Sequence, residues 1–424
     1  MAEISSECGE REVMIARLGA RGDGIAEVGG GQVYVPYALP GERVLVAGSG
    51  ARVELRGVVS ASADRAAAVC RHFTVCGGCA TQHIARGTER AWKTELVRVA
   101  FSQQGIDAPL LPMVSVEAGS RRRAVFAARR AGGGAVFGFH GPHDDTIIDL
   151  GECPVVAPGI ASRLAVLRAL VAPLLSRSGE ARITVTEADN GIDVAVNEGK
   201  PQLSVDERAE ISRLARAASI IRLCIDGMTV FEAAKPFIGF GRAKVELPPG
   251  VFVQAVPEAE RRMTEMILAA CGKAKRVADL FSGVGTFSFP LAAKAEVLAV
   301  DSDKAAIGAL VEAARRTQGI KPVVAKVRDL FSEPLSTKEL EGFDAVVFDP
   351  PRAGADAQAR RIAGSKVAVV VAVSCAPGTM ARDVATLIAG GYELESVTPV
   401  DQFVFAAHVE GIAVMRRGRA RRER

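Results

Sequence analysis

Three hydrophobic patterns succeed one another along the chain. From about residue 11 to 62, short alternations of apolar and polar residues (VMIARLG, GIAEVGGGQVYVPYAL, ERVLVAGSG, ARVELRGVVSA) are broken by glycines. A period of two with Gly breaks predicts strands and tight turns, hence a small OB-like β-barrel of the kind that often holds nucleic acid. From 63 to about 240, strands and helices mix. ITVTEADNGIDVAVNEG predicts a hairpin, because DNG joins two alternating runs. SVDERAEISRLARAAS predicts a helix with acids in its first turn. Beyond about 245, wholly apolar runs (RVADLF, AEVLAVD, KPVVAKV, FDAVVFDPP, KVAVVVAVSC) alternate with amphipathic ones (TFSFPLAAK, KAAIGALVEAARRT, GTMARDVATLIAG). That βαβ series predicts an α/β class domain with an open, mostly parallel, doubly wound sheet. The expected domains are 1–62, 63–240 and 241–424, with no internal repeat.

Composition narrows the class. Apolar residues are 49% and charged residues 24% of 424, a globular balance that excludes a disordered or fibrous chain. No apolar run approaches the roughly 20 residues of a bilayer span. The N-terminus, MAEISSECGEREVMIARLG, lacks a basic patch followed by an apolar core. The expectation is a soluble, cytoplasmic protein, by default a monomer.

Charge adds two candidate phosphate contacts. The net charge is +4, yet the last nine residues, RRGRARRER, hold six Arg and one Glu and so contribute +5. A terminal Arg run is either a nucleic-acid tail or a solvated end. A second cluster, Ser120 to Arg130, has five Arg and no acid. It reads as a strand bearing basic side chains, and RNA contact is its expected role, since the guanidinium fork matches phosphate.

Three of eight cysteines cluster as Cys70-x5-Cys76-x2-Cys79, and Cys153 lies downstream before Pro154. In a cytosolic chain such clustering predicts metal ligation, with four thiolates suiting either zinc or an iron–sulfur cluster. The isolated Cys8, Cys224 and Cys271 read as packing residues.

Chemistry gathers in the last domain. Asp279-Leu280-Phe281-Ser282-Gly283-Val284-Gly285-Thr286-Phe287 ends one strand and opens a helix, and Asp301 closes the next strand. Such an acid can accept hydrogen bonds from two ribose hydroxyls. A dinucleotide fingerprint wants a third Gly where Ser288 stands, so an adenosyl cofactor without pyrophosphate fits better. Asp329 is placed either beside adenine or as a helix cap. Asp349-Pro350-Pro351-Arg352 and Ser374-Cys375 each follow an apolar strand, at the carboxyl ends where ligands bind in such sheets. Cys375 is a candidate nucleophile and Glu410, in His408-Val409-Glu410, a candidate general base.

Taken in order, these motifs resemble the uracil-C5 RNA methyltransferases, especially the 23S ribosomal RNA branch with an iron–sulfur cluster. The resemblance rests on the N-terminal barrel, the cysteine spacing with Cys153, Arg121 to Ala124, Phe252-Val253-Gln254, DLFSGVGTF, DPPR, the turn at Ser374-Cys375 with Thr379 and Arg382-Asp383, and His408-Val409-Glu410. It implies a TRAM-like RNA-binding barrel, a central iron–sulfur domain and a class I, Rossmann-like methyltransferase domain. Gln254, Phe281, Thr286, Asp301, Asp329 and Asp349 would line the S-adenosylmethionine pocket. Cys375 would be the nucleophile, Glu410 the base, and Cys70, Cys76, Cys79 and Cys153 the ligands of a [4Fe-4S] cluster. The implied substrate is a uridine of 23S rRNA; a tRNA uridine is the alternative, and a non-catalytic RNA-binding assembly protein or a redox sensor the readings from other classes. The family usually has Asn where this chain has Ala376 and Val256, and Pro and Thr where Val404 and Ala406 stand. These departures would remove polar groups from the expected pocket.

Overall fold

The computed structural model describes residues 10–142, 144–176, 179–200 and 202–418. Of the terminal Arg run, the residues from 419 on lie outside the described residues, as does Cys8. The chain divides into two compact units. One holds the residues up to Leu96 with His140–Asp145 and Phe405–Ala407; the other holds the remainder.

In the first unit, Arg43–Ala47 pairs on either side with Arg11–Met14 and Glu54–Ser60, all antiparallel. A second antiparallel sheet runs Arg17–Leu18, Gly24–Val28, Gly31–Val35. The alternation drives this arrangement: Val13, Ile15, Ala26, Val33, Val35, Val44, Val46 and Val53 all point into one shared apolar core. Gly24 is fixed by packing, because a Cβ there would lie 2.8 Å from the Ala38 carbonyl oxygen.

The second unit carries two larger sheets. One has seven strands, with Arg123–Ala131 and Glu180–Ala188 at its centre. The hairpin read from DNG is present: Glu180–Ala188 pairs with Gly191–Asn197, closing at Ala188 opposite Gly191. The acidic helix is present as Val205–Ala217, begun by a capping box between Ser204 and Glu207.

The eight-stranded sheet positions the candidate site. Its order is Val323–Val327, Glu296–Asp301, Arg276–Leu280, Ala345–Phe348, Val369–Ser374, Glu410–Arg417, Tyr392–Asp401, Val114–Ser115. The first five strands are parallel, as their apolar runs predict for a sheet covered on both faces. Glu410–Arg417 turns antiparallel to Val369–Ser374, so its first residue stands beside the last of that neighbour. Strand order reverses between Arg276–Leu280 and Ala345–Phe348, which opens a crevice at their carboxyl ends. Leu280, Phe348, Val370, Val397, Met415 and Phe101 pack in the core on which this sheet rests.

Candidate active site

The turn after Arg276–Leu280 departs from ordinary backbone. Phe281 has φ +60°, unusual for a bulky residue, followed by Gly283 at +52° and Gly285 at +93°. A Cβ on Gly285 would lie 2.8 Å from the Phe289 ring, so this Gly lets the turn close onto its helix. A Cβ on Gly283 would meet nothing within 4 Å, so open space lies over the turn there. Thr286 stands, half-buried, between the turn and the helix Ser288–Ala292. Asp301 ends the neighbouring strand. Its Oδ2 accepts the Gly283 N–H at 2.8 Å and its Oδ1 the Asp303 N–H at 2.8 Å. Each oxygen keeps a further lone pair for a ligand hydroxyl.

Asp329 follows the strand Val323–Val327, and both its oxygens are engaged locally. Oδ1 accepts the Phe331 N–H at 2.9 Å and Oδ2 the Ser332 hydroxyl at 3.0 Å. These are bonds of a turn, and the next helix, Thr337–Leu340, is capped by Ser336 instead. The same turn brings the half-exposed Phe331 ring to 5.6 Å from Phe281, a contact that nothing in the sequence pattern marks.

Across the strand-order reversal, Gln254, Asp349, Cys375 and Glu410 converge. Gln254 donates from Nε2 to Asp349 Oδ2 at 2.8 Å. Gln402 donates from Nε2 to Glu410 Oε2 at 2.6 Å and to Gln254 Oε1 at 3.2 Å. Cys375 and Glu410 are brought together by register, since Ser374 pairs with Gly411. Burial pushes the Cys375 thiol up to about 11, with the Glu410 and Asp349 carboxylates adding to it and Arg352 opposing. Burial also raises the carboxyl of Glu410, helped by Asp349 and opposed by Gln402. Asp349 is raised for the same first reason, with Gln254 opposing. A half-buried thiol beside buried carboxyls, at strand ends, is suited to nucleophilic addition coupled to proton transfer.

Sequence reasoning gave no role to several neighbours of this group. Gln402 is one. Arg352 is another, whose Nη2 meets His408 Nδ1 at 2.8 Å. His408 also packs edge-on against Phe403, and Arg121 lies over the Phe403 ring, 5.6 Å from its centroid. Phe252, 63% exposed, carries Arg123 at 5.6 Å. Cation–aromatic pairs of this kind are surfaces on which an unstacked base can lie.

The internal Arg cluster differs from its expected role. Arg122 is 6% exposed; it donates to Glu260 at 2.5 Å and to the Gln254 carbonyl at 3.1 Å. Arg123 donates to the carbonyls of Val251 at 3.2 Å and Gly250 at 3.3 Å. Both are struts that hold the segment bearing Gln254, turned inward by partners far away in sequence, and the distal Arg129 and Arg130 donate to Glu180 at 3.1 Å and to the Leu175 carbonyl at 3.0 Å.

The departures Ala376 and Val256 also have a different place. Each is the N-cap of a helix with Pro next: Ala376 before Pro377–Ala389, Val256 before Pro257–Cys271, neither making a side-chain cap bond. An Asn at such a position caps orphan amides, so the missing side chains belong to helix starts. They give no support to a non-catalytic reading.

Among the described residues no set of three or more Cys, His, Asp or Glu side chains is placed to hold a metal ion. Cys70, Cys76 and Cys79 belong to the first compact unit and Cys153 to the second, and no disulfide joins them. The Gly78 N–H donates to Cys76 Sγ at 3.4 Å.

Known proteins share this organisation. The tRNA (uracil-5-)-methyltransferase family matches residues 240–417. An uncharacterized RNA methyltransferase of Brucella melitensis is 47% identical, over 98% of this chain and 99% of its own. The 23S rRNA (uracil(1939)-C(5))-methyltransferase of Halomonas elongata is 32% identical, over 96% of this chain and 89% of its own. The crystal structure of Pyrococcus abyssi tRNA (uracil-54, C5)-methyltransferase, in complex with S-adenosyl-L-homocysteine, covers 96% of this chain and 100% of its own with a TM-score of 0.73 at 21% identity. That likeness identifies the class I methyltransferase fold.

Proposed function

The chain belongs to the uracil-C5 RNA methyltransferases, and from that premise we propose that it methylates C5 of a uridine in 23S rRNA. The observation that carries this reading is Cys375 held beside Glu410 at the carboxyl ends of the sheet, with Asp349 acting on both. The ribosomal target is supported by the Halomonas relative, which spans nearly the whole chain.

S-adenosylmethionine supplies an electrophilic methyl group. The turn from Phe281 to Thr286 fits it: open space lies over Gly283, and the buried Asp279 Oδ1 and Ser282 Oγ have no partner there. Asp301 would take the ribose, and Phe281 with the turn of Asp329 and Phe331 would flank the adenine. Gln254 and Asp349 would separate this pocket from Glu410.

The chain's own residues perform the rest. The Cys375 thiolate adds to C6 of the uracil, placing the electron pair of the C5=C6 bond on the ring as an enolate. C5 would then form its bond to the methyl carbon as that carbon's bond to the cofactor sulfur breaks, the pair leaving on sulfur with S-adenosyl-L-homocysteine. Glu410 removes the C5 proton, the C5–H pair restores the double bond, and the C6–S pair returns to Cys375. The target base must leave its stack, and the side chains of Arg121, Phe403, His408 and Phe252 receive it.

The test uses ribosomal RNA transcript and methyl-labelled cofactor. Label recovered in 5-methyluridine, and lost in Cys375→Ala, establishes reaction and nucleophile. Label in tRNA alone moves the substrate to tRNA, and no label in either RNA defeats the reading. Iron and acid-labile sulfide, assayed on protein purified without air, decide the [4Fe-4S] cluster on Cys70, Cys76, Cys79 and Cys153 that the family resemblance implies. No step above passes through it. The expected setting is the cytoplasm, and no helix of the described residues is long and apolar enough to cross a membrane.

A further inference from the structure

Gln402 is 3% exposed and has an unusual hydrogen-bonding state. Its Nε2 donates twice, to Glu410 Oε2 at 2.6 Å and to Gln254 Oε1 at 3.2 Å. Its Oε1 is buried with no partner. Gln254 in turn donates to Asp349 at 2.8 Å. Two amides therefore link two buried carboxyls, and both ends of the link are acceptors. Two amides can donate to both ends only if one of them donates twice, and the carbonyl of that amide is then left over. Gln402 is that amide. Leaving a buried carbonyl unpaired is unfavourable, so this orientation does not serve the side chain's own stability. It serves the carboxylate it points at.

We propose that Gln402 is the positioning residue of the base: its amide ties one oxygen of Glu410 and favours the form whose other oxygen is free to take the C5 proton. This rests on the methyltransferase reading above. Burial and the Asp349 charge work against ionisation of Glu410, and the Gln402 donor is what opposes them. The titratable groups around Glu410 are Asp349 at the end of Ala345–Phe348 and Cys375 at the end of Val369–Ser374, with Arg352 acting on Cys375. The step that depends on Gln402 is elimination. The C5–H bond breaks, its pair forms C5=C6, the C6–S pair returns to Cys375, and the proton goes to Glu410. A neutral Glu410 cannot perform this, so the methylated, sulfur-linked RNA would persist.

The experiment follows methyl label in denaturation-resistant protein–RNA adduct and in released 5-methyluridine, in single turnovers at several pH values. Gln402→Met and Gln402→Asn are compared with wild type; the first removes the amide and the second shortens its reach. Both variants should form adduct and resolve it about tenfold more slowly or worse at neutral pH, with resolution recovering as pH rises. A structural role would lower folded protein or adduct formation without moving the pH dependence of resolution. Resolution at the wild-type rate across pH in either variant overturns the proposal. Loss of fold in both assigns Gln402 a structural role and overturns it too. Wild-type protein that forms no adduct and releases no 5-methyluridine defeats the methyltransferase reading instead, an outcome read before any variant is made.

Discussion

Cys375 sits where reactivity has to be created by the substrate complex. Half-buried, with its thiol near 11 from burial first and from Glu410 and Asp349 next, it is almost entirely protonated at neutral pH in the free protein. Alkylation requires thiolate. Iodoacetamide should therefore modify the Cys375 peptide slowly at pH 7, about tenfold faster per pH unit, and without a plateau before about pH 10. Arg352 is the cation that opposes this shift, so Arg352→Gln should slow alkylation severalfold at any one pH. Peptide mass spectrometry isolates this cysteine from the others, and a plateau near pH 8.5 would sink the assignment. Glu410 has the complementary test. Glu410→Gln keeps the size of the side chain and removes the base, so methylated adduct should form and persist, read as label that remains on protein after denaturation. Prompt release of 5-methyluridine from that variant would place the base elsewhere.

At the scale of elements, the strand-and-helix pattern beyond residue 245 was legible because burial on both sheet faces leaves unbroken apolar runs. The positions of Cys375, Asp349 and Glu410 at strand ends followed from it. What the pattern could not show is direction. Five Arg between Ser120 and Arg130 display charge, but Arg122 finds its partner Glu260 in sequence 138 residues away. Nothing local to Gln402 marks it either, since an amide gains its meaning from the carboxylates the fold brings to it. Ala376 read as a pocket residue because it follows the nucleophile, and the structure makes it the first contact of a helix. Ala376→Asn should then supply a side-chain acceptor to the orphan amides of Pro377–Ala389 and raise the unfolding free energy by about 1 kcal/mol. Urea unfolding reads this directly. No change in midpoint would return Ala376 to the pocket and reopen its bearing on target choice.

The two compact units should answer pH in opposite directions. In the first, His83 is 3% exposed, stacked on Phe73 with ring centroids 5.8 Å apart, and neither ring nitrogen has a partner. Burial, with Arg65 next, lowers it to about 4. A histidine depressed in the fold contributes stability that is present above its unfolded value of about 6.5 and is lost as pH falls towards 4, about 3 kcal/mol in all. The second unit carries the opposite case. Burial pushes Glu260 and Asp279 up to about 7, and Glu410 and Asp349 upward as well. Carboxyls raised in the fold bind protons better there than in the unfolded chain, so they favour the folded state at low pH. That advantage is lost as pH rises from about 4 to about 7. Acidification from pH 7.5 to 5 should therefore weaken the first unit and strengthen the second. The single tryptophan, Trp92, lies in the first unit, so its fluorescence reports on that unit while calorimetry follows both. The fluorescence midpoint should fall on acidification as a second calorimetric transition rises away from it. His83→Phe should hold the fluorescence midpoint steady with pH and cost nothing at pH 7.5, because a ring without a titrating nitrogen fills the same stack. A wild-type protein whose two signals shift together, or a His83→Phe midpoint that still falls with acid, would mean that the histidine does not govern the first unit's response.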